Sequence, residues 1–360
     1  MAADRIRDAT LTLAAAAAAP FAGGLLTLLT KPFGGVVGVP AQVVGYLTLT
    51  AFAAGILGAV VTMRYPLSPG LAAILAIPAG AGLAIAGATS AVWVFSVGVI
   101  VAGALAGPVL VCSRSLTWAS ASSTWWQTAM IAGFAGAAAV AAFTQLAPGA
   151  GLVAAGILTA VSGAVSYVIS STPQDSPVSQ EETGARREPV GIPWRTSVFY
   201  GLTGLVVGGT VLPALHLLLF RWSELGREQA MLLLPAGVLA LLVMALPAPS
   251  AGNIAPLIIL AAGGPLLVAT APGSVTVAIG VCVTVVAATC AARGLDRVAT
   301  GSAGPTAILT ALGVAAGFGA VSVAGEFLGN GTALTVLTLT VLGGVSLGTR
   351  TTPAPERGIA

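Results

Sequence analysis

Residues 171–195 read STPQDSPVSQEETGARREPVGIPWR and hold seven of the 25 charged side chains in a chain of 360 residues. On either side of this strip the sequence is mostly Ala, Val, Leu and Gly. Overall, 57% of residues are hydrophobic and only 7% are charged, against roughly a quarter charged in a soluble globular domain. The chain therefore reads as an integral membrane protein, and the strip as its one long polar connection. Its Pro, Ser, Gln and Glu content buries too little apolar area to fold alone, so a mobile loop is expected there.

Working outward, the apolar runs can be counted as crossings, since a hydrocarbon core about 30 Å thick takes roughly 20 helical residues. Twelve are expected, near 9–29, 39–62, 70–88, 91–112, 125–146, 150–170, 196–219, 229–247, 253–271, 274–292, 304–325 and 332–349. Breaks such as APGAG at 147–151, APSAGN at 248–253 and APGS at 271–274 separate them. A membrane barrel would alternate polar and apolar residues in segments of about ten, and these runs do not. The first run follows MAADRIRD and leads into further spans, so it reads as a retained helix rather than a cleaved leader. The strip lies between six spans and six spans. The expected organisation is a six-helix bundle over 1–170, the polar linker 171–195, a second six-helix bundle over 196–350 and a tail over 351–360.

Basic residues sort by side. With the N-terminus inside, Arg5, Arg7, Arg64, Arg114, Arg186, Arg187, Arg195, Arg293, Arg297, Arg350 and Arg357 fall on one face and only Lys31, Arg221 and Arg227 on the other. The positive-inside bias of short loops then places both termini and the linker in the cytoplasm. The net charge of +3 follows from this topology and does not point to nucleic acid. Arginine-to-lysine bias and the weight of Ala and Gly read as a GC-rich bacterial genome, hence the cell membrane. Cys112, Cys282 and Cys290 lie in or at the edge of apolar runs with no disulfide or metal spacing, so they read as small packing residues. No cofactor or metal is expected.

The two halves carry a faint internal repeat. VFSVGVIVAGALAGPVLVCSRSL at 94–116 is similar to TVAIGVCVTVVAATCAARGLD at 276–296, and TAMIAGFAGAAAVAAFTQL at 128–146 to TALGVAAGFGAVSVAGEFL at 310–328. Order and sidedness agree, as expected of parallel repeats about an axis along the membrane normal. On these features the chain resembles the major facilitator superfamily over its whole length. PAQVVGYLTLTAFAAGILGAVVTMR at 40–64 is similar to the family's span two and the turn after it, and VLPALHLLLFRWSELGREQAMLLLPAGVLALLV at 211–243 to its spans seven and eight. The family's Gly-x-x-x-Asp-Arg turn appears here as GAVVTMRYPLSPG at 58–70, keeping Gly58 and Arg64 without the Asp. The Arg within span four is absent, and span five keeps only Gly133-x-x-Gly136. The resemblance implies an all-α fold of two pseudo-symmetric six-helix bundles and a transporter. The departures take away the motif support for drug/proton antiport.

Ionisable residues at membrane depth cost about 2.5–3.5 kcal/mol on insertion scales and so mark function when present. Here they are few. His216 beside Pro213 near the outer end of span seven, Glu326 ending span eleven and Gln145 ending span five are candidates for a substrate or proton path, with Tyr46, Gln42 and Gln127 as polar companions. His216 is the chain's one imidazole and could change charge near neutral pH. Arg114 and the Arg293, Asp296, Arg297 group sit in corresponding cytoplasmic turns and could pair to close an inner gate, for which Arg64, in the turn after span two, is a further candidate. Trp125 and Trp126 read as interfacial aromatics. Gly201, Gly204, Gly208 and Gly209 in span seven read as sites of close helix approach.

So sparse a set of charges suits a largely apolar path. The leading expectation is an exporter of a small hydrophobic or amphiphilic metabolite or drug, with a proton as candidate coupling ion and membrane lipid as its surroundings. The alternative is a non-transporting scaffold or channel subunit of a secretion complex. No His-Glu-x-x-His, Gly-x-Ser-x-Gly or acidic cluster supports an enzyme. Nothing in the sequence sets an oligomeric state.

Overall fold

The structure, a computed structural model, describes residues 2–65, 67–118, 123–144, 146–171, 194–222, 224, 227–299 and 303–349. Residues 172–193 of the polar linker, the tail over 351–360 and Gln145 lie outside the described residues, as do the side chains of His216 and Glu326. Among the described residues, twelve helices are long and apolar enough to cross a membrane. The first span is built from α1 (Ala2–Ala16), a π-helical turn (Ala17–Phe21) and α2 (Ala22–Leu28), and a short α3 (Thr30–Val37) follows it. The other eleven are α4 (Ala41–Arg64), α5 (Pro69–Ala88), α6 (Val92–Trp118), α7 (Ser123–Phe143), α8 (Pro148–Ser171), α9 (Trp194–Arg221), α10 (Arg227–Met244), α11 (Ile254–Ala269), α12 (Ser274–Val298), α13 (Ala303–Leu328) and α14 (Asn330–Thr349). In lipid the backbone must satisfy itself, which is why apolar runs of this length become helices. Their hydroxyls follow the same rule: Thr48, Thr62, Thr159 and Thr210 each donate to the carbonyl four residues earlier.

The helices pack as two sixes with matching neighbours. In the first half the close pairs are α5 with α8, α4 with α6, α5 with α6, and α1 with α8 and α6. In the second half the counterparts α11 with α14, α10 with α12, α11 with α12, and α9 with α14 and α12 are also close. Gly82 packs on the Gly98 carbonyl between α5 and α6, and Gly264 on the Gly280 carbonyl between α11 and α12. Each member of the second pair lies the same 182 residues beyond its counterpart, the separation that also relates Arg114 and Asp296. The repeat seen in the sequence is thus a repeat in space. Between the halves, α7 packs on α10, and α4 and α6 pack on α13.

Small residues set the crossings. A Cβ on Gly80 of α5 would lie 2.6 Å from the Ala160 backbone nitrogen of α8, so only glycine permits this approach. The expectation for span seven holds at Gly204 and Gly208, which sit on the Thr310 and Val314 carbonyls of α13, and at Gly209 against Leu337. Gly201 has open space beside it and instead offers its carbonyl to Gly313. The π turn of the first span contains Pro20, which cannot donate to the ladder. There Gly133 of α7 takes up the room, since a Cβ on it would lie 2.8 Å from the Ala16 carbonyl oxygen.

Candidate functional site

Four helix ends meet where the two halves touch, at the end of the bundle that also carries the N-terminus. Two of these ends are C-terminal, those of α6 and α12, and two are N-terminal, those of α7 and α9. Alternating crossings force this meeting, because spans four and ten end on the face from which spans five and seven begin. Each end contributes one polar side chain to a common centre.

That centre is Asp296 of α12. Its Oδ2 accepts from the Arg114 guanidinium of α6 at 2.6 Å. The same oxygen accepts from the Gln127 side-chain amide of α7. Its Oδ1 accepts from the Tyr200 hydroxyl of α9 at 2.6 Å. The side chains of Arg114 and Asp296 are only 3% and 8% exposed, so the ion pair is shielded from solvent. Arg114 also lies over the Trp126 ring, 4.5 Å from its centroid, and the Trp126 indole N–H donates to Ser113 Oγ at 3.1 Å. The cation is held between a carboxylate and an aromatic face.

The partners divide unevenly between the halves. Arg114, Gln127, Trp126 and Ser113 belong to the first half, Asp296 and Tyr200 to the second. Separating the halves would break the bonds from Arg114 and Gln127 and leave the Tyr200 bond intact. An apolar contact lies at the same end, where Ala59 of α4, Val111 of α6 and Ile308 of α13 bury one another.

Of the five expected gate residues, the structure brings Arg114 and Asp296 together. Arg293 turns instead to its own half and donates to the Val243 and Leu246 carbonyls, both at 2.6 Å, at the end of α10. Arg297 donates to the Ala248 carbonyl at 2.9 Å. Arg64 is exposed at the end of α4. Gln127, expected along a path, is part of the Asp296 cluster. Trp125 is exposed as an interfacial residue would be, whereas Trp126 is half-buried under the guanidinium.

Tyr46 and Gln42 are exposed on α4. His216 and Glu326 lie on α9 and α13 toward the end opposite the Asp296 cluster, with side chains outside the description, and Gln145 is outside it altogether. Two buried polar residues outside the expected set are Tyr200 of the cluster and, toward the other end of the bundle, Gln229. Tyr200 carried a signal, as one of four tyrosines and one turn into a span. Gln229, 5% exposed on α10 and bonded to the Leu215 carbonyl of α9 at 3.2 Å, carried only its polarity in an apolar run. Among the described residues no group of His, Cys, Asp and Glu is placed to hold a metal.

No sequence-family model matches the chain, and no curated protein sequence matches it. Solved structures do. The human organic anion transporter MFSD10 (TETRAN) is similar with a TM-score of 0.65 at 15% identity, over 96% of this chain and 98% of that one. A point mutant of the nucleoside transporter NupG is similar with a TM-score of 0.56 at 12% identity, over 95% of this chain and 98% of that one. Both are major facilitator transporters, and this chain shares their fold over nearly its whole length.

Proposed function

We propose that the chain is a membrane transporter that works by alternating access, rocking two six-helix halves about a site between them, and that it exports a small hydrophobic or amphiphilic molecule. The observation that carries the reading is the buried Arg114–Asp296 pair across the halves. A permanent interface gains little from such a pair, since desolvating two charges offsets most of their attraction and apolar residues of similar volume do as well or better. A contact that must also come apart is different. Once the halves separate, water returns to both charges, and Asp296 keeps its bond to Tyr200. The cluster thus suits a latch that opens and recloses, with Ala59, Val111 and Ile308 as the apolar seal beside it.

The arginine-rich end is the cytoplasmic one in this reading, so the latched form faces outward. The linker at 171–195 ties the halves on the cytoplasmic side, and the cell membrane is the location. The apolar character of the helices and the self-bonded threonines favour an apolar or amphiphilic cargo over a sugar phosphate. The similarity to an organic anion transporter and a nucleoside transporter makes those two classes the necessary comparisons. His216, Glu326 and Gln145, with Tyr46 and Gln42, remain the candidates for cargo or proton contact on the opposite side of the latch.

Transport by purified protein in vesicles tests the reading. Hydrophobic dyes and natural products, an organic anion and a nucleoside are each offered with and without a proton gradient. Movement of a hydrophobic compound that is lost in Asp296→Ala supports the proposal. Movement of the nucleoside or the organic anion alone overturns the cargo class, and no movement of anything under either condition overturns the transporter.

A further inference from the structure

On the flank of the second half, away from the latch, the ends of α10, α11 and α12 enclose a crevice of about 320 Å³. It is lined by Val243, Leu246, Pro249, Leu257, Cys290 and Arg293, with Asn253 at its loop end and Leu260 at its deep end. Leu246 and Leu260 are 59% and 55% exposed, so the crevice opens on the outer surface of the bundle rather than into its core. From Asn253 to Leu260 it follows two turns of helix, about 10 Å along the axis. It also lies at the arginine-rich end, between the last turns of α10 and α12 and the start of α11.

Arg293 is the unexplained group. It is 7% exposed, and its guanidinium donates to the two carbonyls at the end of α10. A guanidinium has five N–H donors, and two carbonyl dipoles do not neutralise its charge. No described carboxylate pairs with it, since Asp296, three residues on, is engaged by Arg114, Gln127 and Tyr200 instead. Nor is the cation a feature of the fold. The position equivalent to Arg293 in the first half is Val111, buried in the apolar seal.

We infer that this crevice binds an anionic phospholipid of the arginine-rich leaflet, with the phosphate on Arg293 and the upper acyl chain along Leu257 and Leu260. A buried cation wants an anion, a crevice that opens on the hydrocarbon wants a chain, and one molecule of that leaflet supplies both. Basic pockets between membrane helices take anionic headgroups for this reason. Arg297, exposed one turn further along α12, adds a second positive charge at the mouth. The site is independent of transport, so its failure and that of the transport reading are separate results.

Native mass spectrometry of the purified chain, titrated with phosphatidylglycerol, phosphatidylcholine or inorganic phosphate, tests the inference. The full-length protein should retain one phosphatidylglycerol about tenfold better than phosphatidylcholine, the worth of one charge-assisted contact. Arg293→Gln should erase that preference. Because Arg293 also caps α10, so that its loss puts folding at risk, a second variant is needed: Cys290→Trp fills the crevice while keeping Arg293 and should lower retention of phosphatidylglycerol similarly. Equal retention of the two lipids, or unchanged retention in a folded Cys290→Trp protein, overturns the site. Inorganic phosphate displacing phosphatidylglycerol at equal concentration overturns the lipid and leaves a free-anion site.

Discussion

Removing the carboxylate of Asp296 while keeping its shape should open the arginine-rich end. Among the bonds it accepts, those from Arg114 and Gln127 cross between the halves and that from Tyr200 does not. A buried ion pair adds little over an apolar contact, but removing one partner costs about 3–5 kcal/mol because the other charge stays buried and uncompensated, so loss of the carboxylate should disfavour the shut form by about that much. Asp296→Asn forfeits the charge in both crossing bonds and leaves Arg114 buried beside a neutral amide. Even the lower figure shifts the balance of shut and open forms by more than about a hundredfold, at roughly 1.4 kcal/mol per factor of ten.

Spin labels on Met63 and Val298 report the change, since each is 44% exposed and they end α4 in one half and α12 in the other. Cys112, Cys282 and Cys290 are first replaced by alanine. The parent should give one short distance by pulsed dipolar spectroscopy, and Asp296→Asn a dominant longer one. Arg114→Ala and the double variant complete a thermodynamic cycle, whose coupling should exceed about 1 kcal/mol. A folded Asp296→Asn protein with the parent's distance distribution, or a coupling near zero, would refute the latch.

Gln127→Leu and Tyr200→Phe each remove one bond to Asp296, but only the first should lengthen that distance, because only Gln127 crosses the halves. Trp126→Leu should likewise leave the distance unchanged, because Trp126 and Arg114 belong to one half, and should instead lower stability by about 0.5–2 kcal/mol through loss of the ring under the guanidinium. Gly80→Val should lower stability by about 1–3 kcal/mol or prevent folding, since a Cβ there meets the Ala160 backbone at 2.6 Å; Gly23→Ala, with nothing within 4 Å, should not, and denaturation in detergent compares the two. Paired reporter fusions should place both termini on one side of the membrane, the arginine-rich one, and a split result would remove the proposed orientation.

Helix positions were legible in the sequence because hydrocarbon thickness acts on every span alike. The expected span at 70–88 is observed as Pro69–Ala88, and that at 332–349 as Asn330–Thr349. The ends of spans were less so. The apolar run of span eight continues to 247, yet its helix stops at Met244 and the following carbonyls go to Arg293 and Arg297. Hydropathy does not register which carbonyl has lost its partner, so Arg293 read as a gate residue although it caps a helix. The Arg114–Asp296 pairing could be anticipated because both lie in corresponding turns of a repeat. The roles of Tyr200 and Trp126 could not, since they depend on four ends converging within a few ångströms, and an interfacial Trp has the same sequence context whether it faces lipid or a guanidinium.

The pair's position in the repeat explains why the latch is lopsided. Residues related by a two-fold axis face one another only near that axis, and Arg114 and Asp296 are such equivalents. Were the halves identical, this contact would join like charges and hold the end open. Opposite charges make it attractive, but the surroundings have diverged as well. The equivalent of Gln127 is Leu309, a partly buried apolar residue, so an amide donor stands on one side of the axis only. Donors from both halves therefore converge on a single acceptor. Loss of Arg114 leaves Asp296 with Gln127 and Tyr200, whereas loss of Asp296 leaves Arg114, Gln127 and Tyr200 all without the acceptor they share. The carboxylate should accordingly dominate closure, and an exchange of charges, Arg114→Asp with Asp296→Arg, should restore the ion pair yet recover only part of the closing energy, because two donors would then face a cation.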